Sequence, residues 1–170
     1  MSDLNMADAA YPAEIPPGFQ VAAGYFGGAD AYHVWSPEDW ARFPGYRLPI
    51  YVPGVPGSGP EDGGHAVGLL HELGVPVGAP TVLDMETRKD TLYVENYGQV
   101  LNQAGYKVWV YGSLDFVFGN PPLQGWWVAD YTGRAHMVDH PKVRATQWAS
   151  LPTYDHSDVL AWTVAEMWHG

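Results

Sequence analysis

Short apolar runs alternate along this chain with segments in which apolar residues recur at helical spacing. The apolar runs predict strands over Val21 to Phe26, Leu48 to Val52, Thr81 to Glu86, Lys107 to Tyr111, Trp126 to Asp130 and Val143 to Trp148. Strands separated by helix-sized segments favour a mostly parallel sheet with crossover helices, which is the α/β class. Six or seven strands fit either an open doubly wound sheet or a small TIM-type β/α barrel that is incomplete.

Helix signals lie between these strands. They cover a segment capped by Ser36 and Pro37, the run from Ala66 to Leu73, the segment Thr91 to Ala104, and a last segment from Val159 to Trp168. The Gly- and Pro-rich Pro53 to Gly64 is predicted to be a long loop. Asp155-His156-Ser157-Asp158 could supply a Ser, His and Asp set, but a helix start with Ser157 or Asp158 as N-cap explains it better.

The chain divides into an arm and one domain. Residues 1–18 contain Pro12, Pro16, Pro17 and Gly18 and few large apolar side chains, so they are predicted to form an extended N-terminal arm. Residues 19–170 are predicted to form a single barrel domain, because 170 residues suffice for one substantial core and are too few for two ordinary ones.

Composition excludes several classes of function. The net charge of −11 disfavours nucleic acid and anionic membranes as partners, since both require clustered Lys or Arg. The absence of cysteine excludes disulfides and thiolate chemistry. No apolar stretch is long enough to span a membrane, and the first residues lack the pattern of a secretory signal. We therefore expect a location in the cytoplasm of the producing cell or on a virion.

No cofactor or metal is expected. His136 and His140 have the spacing of a helical metal pair, but Pro141 ends any helix there, so a loop with two solvated imidazoles is favoured. Gly54 to Gly64 lacks the Gly-Lys-Ser/Thr ending of a phosphate loop and is better explained as a flexible loop at the rim.

Asp84 and Glu86 are the most informative candidate residues. They follow an apolar strand that should be buried on both faces, where an unpaired charge is costly. In a strand they project from one face, while Leu83 and Met85 project from the other. The pair could cap the helix that begins at Thr91 or bind Arg88 and Lys89. It could also provide the two carboxyl groups that cleave a glycosidic bond, one of them with a raised pKa.

Further candidates fall at the carboxyl ends of the predicted strands, which meet at one edge of a barrel and carry the chemistry in that fold. Besides the acid pair, these ends hold Tyr111, Asp130, Tyr131, Gln147 and Trp148. Aromatic rings also stack on sugars. The aromatic residues available for this are Tyr25, Trp109, Trp126, Trp127 and Trp148.

Five segments in the same order resemble the later strand motifs of the family 25 glycoside hydrolases, which are lysozyme-type muramidases with an irregular β/α barrel. They are Val82-Leu-Asp-Met-Glu86, Trp109-Val-Tyr111-Gly-Ser, Trp127-Val-Ala-Asp-Tyr131, Thr146-Gln-Trp148 and Tyr154-Asp155. Gly24-Tyr-Phe-Gly-Gly28 and Leu48-Pro-Ile-Tyr-Val52 are more similar to the glycoside-hydrolase-like domain of actinobacteria and their phages. The resemblance covers about residues 21 to 160.

The resemblance implies roles for particular residues. Glu86 would be the general acid, and Asp84 would orient or stabilise the 2-acetamido group of the substrate. Asp130 and Asp155 would line the sugar site, with Tyr111 and Gln147 as hydrogen-bonding neighbours, and Trp148 and Tyr25 are further candidates for substrate contact.

The opening strand departs from the pattern of the family. The family's opening strand carries Gly-x-Asp, and Val21 to Phe26 contains no acid, which leaves Asp30 in the next loop or Asp8 in the arm as substitutes.

Two functions follow from these observations. The first is a muramidase-type hydrolase that cleaves peptidoglycan glycan strands. The second is an inactive sugar-binding or structural subunit of a phage particle, in which the arm 1–18 docks on other phage proteins. The expected partner is bacterial cell-wall glycan in both cases.

Overall fold

The chain forms a closed barrel of eight strands with helices between them, in a computed structural model that describes residues 3–54, 57–86 and 90–170. The order of neighbouring strands around the ring is β2-β1-β8-β7-β6-β5-β4-β3, and β3 pairs with β2 to close it. Strands β1 to β7 run parallel to their neighbours, and β8 runs antiparallel to both β7 and β1. The predicted α/β class and TIM-type barrel are confirmed. The ring is closed rather than incomplete.

The elements have the following bounds. The strands are β1 Leu4–Asp8, β2 Val21–Gly27, β3 Tyr46–Tyr51, β4 Pro80–Asp84, β5 Lys107–Ser113, β6 Gly125–Ala129, β7 Val143–Ser150, β8 Asp155–Val159 and β9 Trp168–His169, which lies outside the ring against β3. The helices are α1 Pro37–Ala41, α2 Gly59–Glu72, α3 Thr91–Gln103 and α4 Leu114–Val117, with 3-10 turns at Pro12–Glu14 and Ala161–Glu166. The six strands predicted from apolar runs are β2 to β7.

The first strand lies inside the segment that the sequence predicts to be an arm. Leu4–Asp8 pairs in parallel with β2 and antiparallel with β8, and Met6 and Ala7 are fully buried. The prediction of an extended arm is therefore wrong for these residues. The strand is hard to recognise because it is short and carries the polar Asn5 and Asp8 between its apolar positions.

The end of the chain also differs from the prediction. Asp155–Val159 is β8, not a helix start, and the residues after it form a 3-10 turn and the short β9 instead of a helix. The polar pattern of β8 arises because Ser157 and Val159 are buried, whereas His156 and Asp158 are partly exposed on the other side. Helix α2 packs against β2, α3 packs against β5, and α4 packs against β5 and β6.

Two apolar clusters hold the barrel together. An inner cluster fills the ring with side chains that include Val82, Trp109 and Trp127. An outer cluster, which includes Leu83, Met85 and Val110, packs between the strands and the helices. The alternation of neighbouring residues between the two clusters is the two-residue period of a strand.

Glycines that favour a loop in the sequence lie in the first turns of α2. Gly59 and Gly63 face α3, where an added Cβ would lie 2.6 Å from the backbone oxygen of Tyr93 and 2.9 Å from Cβ of Val100. Close approach of two helices requires residues without side chains, so these glycines serve packing. The prediction of a loop over Pro53 to Gly64 is therefore wrong from Gly59 onward, where α2 begins.

No helix among the described residues is long and apolar enough to cross a membrane.

Candidate functional site

The acid pair lies where β4 ends at the carboxyl rim, the edge at which the parallel strands of the barrel end. Asp84 is the last residue of β4, opposite Tyr111 of β5, and Met85 N donates to Tyr111 O at 2.8 Å. Asp84 Oδ1 accepts a hydrogen bond of 3.1 Å from Glu86 N, which turns the chain away from the strand. Leu83 and Met85 pack in the outer cluster, as predicted.

The alternative role of the pair as a helix cap is wrong. Asp90 is the N-cap of α3, and its side chain accepts from Tyr93 N at 3.0 Å. The other alternative was an ion pair with Arg88 and Lys89, which lie outside the described residues. Asp84 is half-buried and Glu86 is exposed, so a substrate can reach Glu86 from solvent.

Two further acids complete a cluster at this rim. Asp8 ends β1, and Asp155 begins β8, which runs in the opposite direction, so both lie at the carboxyl rim in register with each other. A cleft of about 190 Å³ opens between them, with Tyr25 in its wall. Asp8 is only 7% exposed, and its Oδ1 atom has no hydrogen-bond partner among the described residues.

Burial raises the pKa of every acid in this cluster, and repulsion from neighbouring acids adds to the rise at Asp8, Asp84 and Glu86. For Asp84, burial first and the Glu86 carboxylate second raise the pKa to about 7. For Asp8, burial and then Asp155, Asp84 and Glu86 raise the pKa well above its usual value. Burial is also the main cause of the raised pKa of Glu86 and of Asp155. At least part of the cluster is therefore protonated near neutral pH.

Tyr111 and Gln147 connect Glu86 to the barrel interior. Tyr111 Oη lies 3.4 Å from Glu86 Oε1 and closer to Gln147 Oε1, while Gln147 Nε2 donates to Tyr131 Oη at 3.3 Å. Tyr111 directs its one proton toward these two acceptors. Its hydrogen bond to Glu86 lowers the pKa of that carboxyl group, but burial has the larger effect and raises it.

Asp130 and Trp148 are not part of the acid cluster. Asp130 follows β6, and its Oδ2 lies 3.0 Å from Nε2 of His136. Trp148 packs against His156 on β8, with 4.2 Å between the ring centroids. Both follow a strand position that faces inward, Ala129 and Gln147 respectively, and so lie toward the outside of the barrel.

The other aromatic candidates have structural positions. Trp109 and Trp127 are buried in the inner cluster, and Trp126 is buried in the outer cluster. Tyr25 is partly buried, and it is the candidate ring that borders the cleft.

The histidines of the predicted loop are not simply solvated. No helix or strand forms over 131–142, as predicted, but the His136 ring contacts Asp130 and His140 packs 5.0 Å from the Trp126 ring. Hydrogen bonding to the Arg134 carbonyl and to Asp130 raises the pKa of His136. Within the described part of the chain, no group of three or more His, Asp or Glu side chains is arranged to hold a metal ion.

Asp8 is the site residue that sequence reasoning reached only as a possible substitute. The signal that identifies it is an acid at the end of a short alternating segment, Leu4 to Asp8, in which Met6 faces inward. Asp30, the other possible substitute, is exposed in the loop after β2. Asp8 ends β1, the first strand of the ring, and Val21 to Phe26 belongs to the second strand.

Comparisons of the sequence find no match to a protein-family model and none among curated proteins. Comparison of the structure finds similar folds. An uncharacterized protein of B. stearothermophilus superposes with a TM-score of 0.77 at 15% identity, over 97% of this chain and 100% of that chain.

Two further solved structures have the same fold at low identity. A family 25 glycosyl hydrolase from Bacillus anthracis gives a TM-score of 0.68 at 13% identity, over 93% of this chain and 89% of that one. The modular autolysin LytC from Streptococcus pneumoniae, solved with a synthetic peptidoglycan ligand, gives 0.70 at 14% identity, over 93% of this chain and 47% of that one. The barrel described above therefore has the same fold as a family 25 glycosyl hydrolase and an autolysin.

Proposed function

We propose that this chain is a muramidase-type glycoside hydrolase that cleaves the glycan strands of peptidoglycan. The observation that carries the proposal is the convergence of Asp8, Asp84, Glu86 and Asp155 at one rim, each with a raised pKa. Glycoside cleavage needs a protonated carboxyl group and a second group that stabilises positive charge on the sugar ring. Similarity to cell-wall hydrolases that include a peptidoglycan complex supports the substrate class.

Glu86 is the general acid in this proposal. It is exposed at the carboxyl rim, and partial burial of its carboxyl group raises the pKa, which favours the protonated form. Glu86 gives its proton to the glycosidic oxygen as the bond to the anomeric carbon breaks. The 2-acetamido oxygen, oriented by Asp84, forms the new bond to that carbon, and water then hydrolyses the intermediate with Glu86 as base.

The remaining acids stabilise charge and bind substrate in this proposal. Asp155 supplies negative potential beneath the developing positive charge of the sugar ring, and Asp8 lies beside it in the protonated form that its raised pKa favours. Tyr25 borders the cleft between them. Asp130 and Trp148 contact more distant parts of the substrate.

An inactive sugar-binding or structural subunit of a phage particle is the second candidate. The observation that favours it is an apolar groove of about 550 Å³ lined by Pro12, Ile15, Phe19 and Phe43 among others, which a neighbouring subunit could cover. Residues 9–18 would then serve as the docking segment. The proposed setting for either candidate is an actinobacterial virus or its host, with the protein on the virion or in the producing cell and the bacterial wall as its target.

Release of reducing sugar from purified actinobacterial peptidoglycan tests the proposal, with the intact chain compared with Glu86→Gln. Loss of general acid catalysis should reduce the rate by about 100-fold or more. Glu95→Gln is the matched control, because Glu95 is exposed on α3 and does not belong to the acid cluster. Its rate should equal that of the unaltered chain.

No release by any of the three proteins, with circular dichroism showing intact folds, would reject hydrolysis of this substrate and favour the binding module. Equal activity of Glu86→Gln and the unaltered chain would reject Glu86 as the acid.

A further inference from the structure

Strand β7 carries an irregularity at the carboxyl rim. Gln147 pairs with Ser157 and Ala149 pairs with His156, so the register shifts between them and Trp148 is the extra residue of a β-bulge. Bulges at barrel rims redirect a side chain. Here Gln147 faces inward to Tyr111, and Trp148 faces outward onto His156. One short stretch of strand thus serves both the acid cleft and the outer surface beside it.

A second pocket of about 560 Å³ lies on this outer surface. Its lining includes Tyr131, Gly133, Trp148, Ser150, Leu151 and His156. Backbone hydrogen bonds fix its walls. Gly133 N donates to Trp148 O at 2.9 Å, and Leu151 N donates to Tyr154 O at 3.0 Å. The pocket is therefore formed before any ligand arrives, which reduces the entropic cost of binding.

The pocket adjoins the acid cleft. Ser150 and Leu151 line both spaces, and they form the ridge over which a bound chain would pass from one to the other. Tyr131 also borders the pocket and accepts a hydrogen bond from Gln147, the residue that contacts Tyr111. A polymer whose cleaved bond lies at Glu86 would thus continue along this side of the barrel.

The lining favours a neutral sugar ring. Trp148, His156 and Tyr131 offer aromatic surface, and Tyr131 is 56% exposed. Aromatic faces match the C–H face of a pyranose. Asp158 lies beside Trp148 and His156, and Asp155 lies across the ridge, so an anionic peptide would be repelled.

We propose that the pocket built on the Trp148 bulge is a second sugar-binding site, which holds a further pyranose unit of the same glycan strand that occupies the acid cleft. This inference rests on the proposed function, because it takes its ligand from that substrate. It assigns Trp148 to length-dependent recognition of the strand and not to the bond-breaking step.

Binding of β-1,4-linked N-acetylglucosamine oligomers tests the inference. The dimer and the tetramer are titrated by calorimetry into Glu86→Gln protein, with and without Trp148→Ala. Because only the longer oligomer spans both spaces, Trp148→Ala should weaken tetramer binding by about tenfold and leave dimer binding unchanged. Trp162→Ala is the matched control, since Trp162 is also exposed and stacks with Arg144 at the other end of the barrel.

A second variant distinguishes loss of the binding site from misfolding caused by Trp148→Ala. Ala149→Leu fills the pocket without removing the indole and should cause the same selective loss of tetramer binding. Equal tetramer affinity with and without Trp148, equal losses for dimer and tetramer, or no binding of either oligomer would overturn the inference.

The two proposals fail separately. Cleavage of peptidoglycan by the unaltered chain, together with tetramer binding that is independent of Trp148, would overturn the second sugar site alone. Selective tetramer binding that depends on Trp148, without cleavage by the unaltered chain, would support the site and reject hydrolysis.

Discussion

The two ends of the barrel differ in how their charged side chains are arranged. At the amino rim, where the parallel strands begin, Lys107 Nζ lies 2.6 Å from Glu166 Oε1. Arg47 donates to the Phe43 carbonyl at 2.7 and 3.0 Å, and its guanidinium lies 4.8 Å from the Trp168 ring centroid. At the carboxyl rim Asp130 lies 3.0 Å from His136, but the four acids of the cluster repel one another.

This difference separates a part that stabilises the fold from a part that is available for chemistry. Val164 and Met167, from the segment after β8, join the inner cluster and are buried, so they close the barrel at its amino end. The carboxyl end instead keeps an open cleft and a buried carboxylate oxygen without a described partner. Groups that lower stability and lie in a cleft are typical of functional sites.

The largest effect on stability is expected from the apolar side chains that close the barrel at the amino rim, Val164 and Met167. Met167→Ala removes a buried side chain and leaves a cavity, so it should lower the free energy of unfolding by about 3 kcal/mol. Urea denaturation measures this change. Leu92→Ala, at a position 65% exposed on α3, is the control and should change little. A large loss of glycan binding by folded Met167→Ala protein would contradict the division between the two ends.

A change of opposite sign is expected at the carboxyl rim. The pKa of Asp84 is about 7 in the folded chain and about 4 when unfolded, so the stability that this group contributes is complete below pH 4 and declines as the pH rises through 7. Asp84→Asn should therefore raise the free energy of unfolding at pH 8 by about 2 kcal/mol, roughly half the value for an isolated group because the neighbouring acids share the effect.

Urea denaturation between pH 5 and pH 8 checks this prediction. The unaltered chain should lose stability over that interval, and the variant should lose less. Asp139→Asn, at an exposed loop position, is the control and should follow the unaltered chain. A variant that is less stable than the unaltered chain at pH 8 would show that the acid cluster does not lower stability.

The smallest effect is expected from the ion pair at the amino rim. Lys107 and Glu166 are both more than one-third exposed, so Lys107→Gln should cost only about 0.5 kcal/mol. The cost should shrink further in 0.5 M salt, because screening weakens exposed pairs. A decrease in the free energy of unfolding above 2 kcal/mol would mean that paired charges, and not the apolar side chains of Val164 and Met167, stabilise this end of the barrel.

Sequence patterns predict the regular part of this fold and miss its closure. Strands β2 to β7 are apolar enough to recognise, whereas β1 and β8 are short and carry polar residues. Their pairing is set by tertiary contact between the two ends of the chain, which no local pattern reveals. The same gap explains the site: Asp84 and Glu86 are recognisable beside an apolar strand, but Asp8 becomes a candidate only once β1 is placed in the ring.

The pairing of β1 with β8 also determines when the site can exist during synthesis. Leu4 pairs with Val159, so the ring closes only after the residues up to Val159 have left the ribosome. Contacts between such distant residues form late and slowly, because a long loop must be closed first. Asp8 and Asp155 meet in this last step, and a nascent or truncated chain therefore lacks the complete acid cluster.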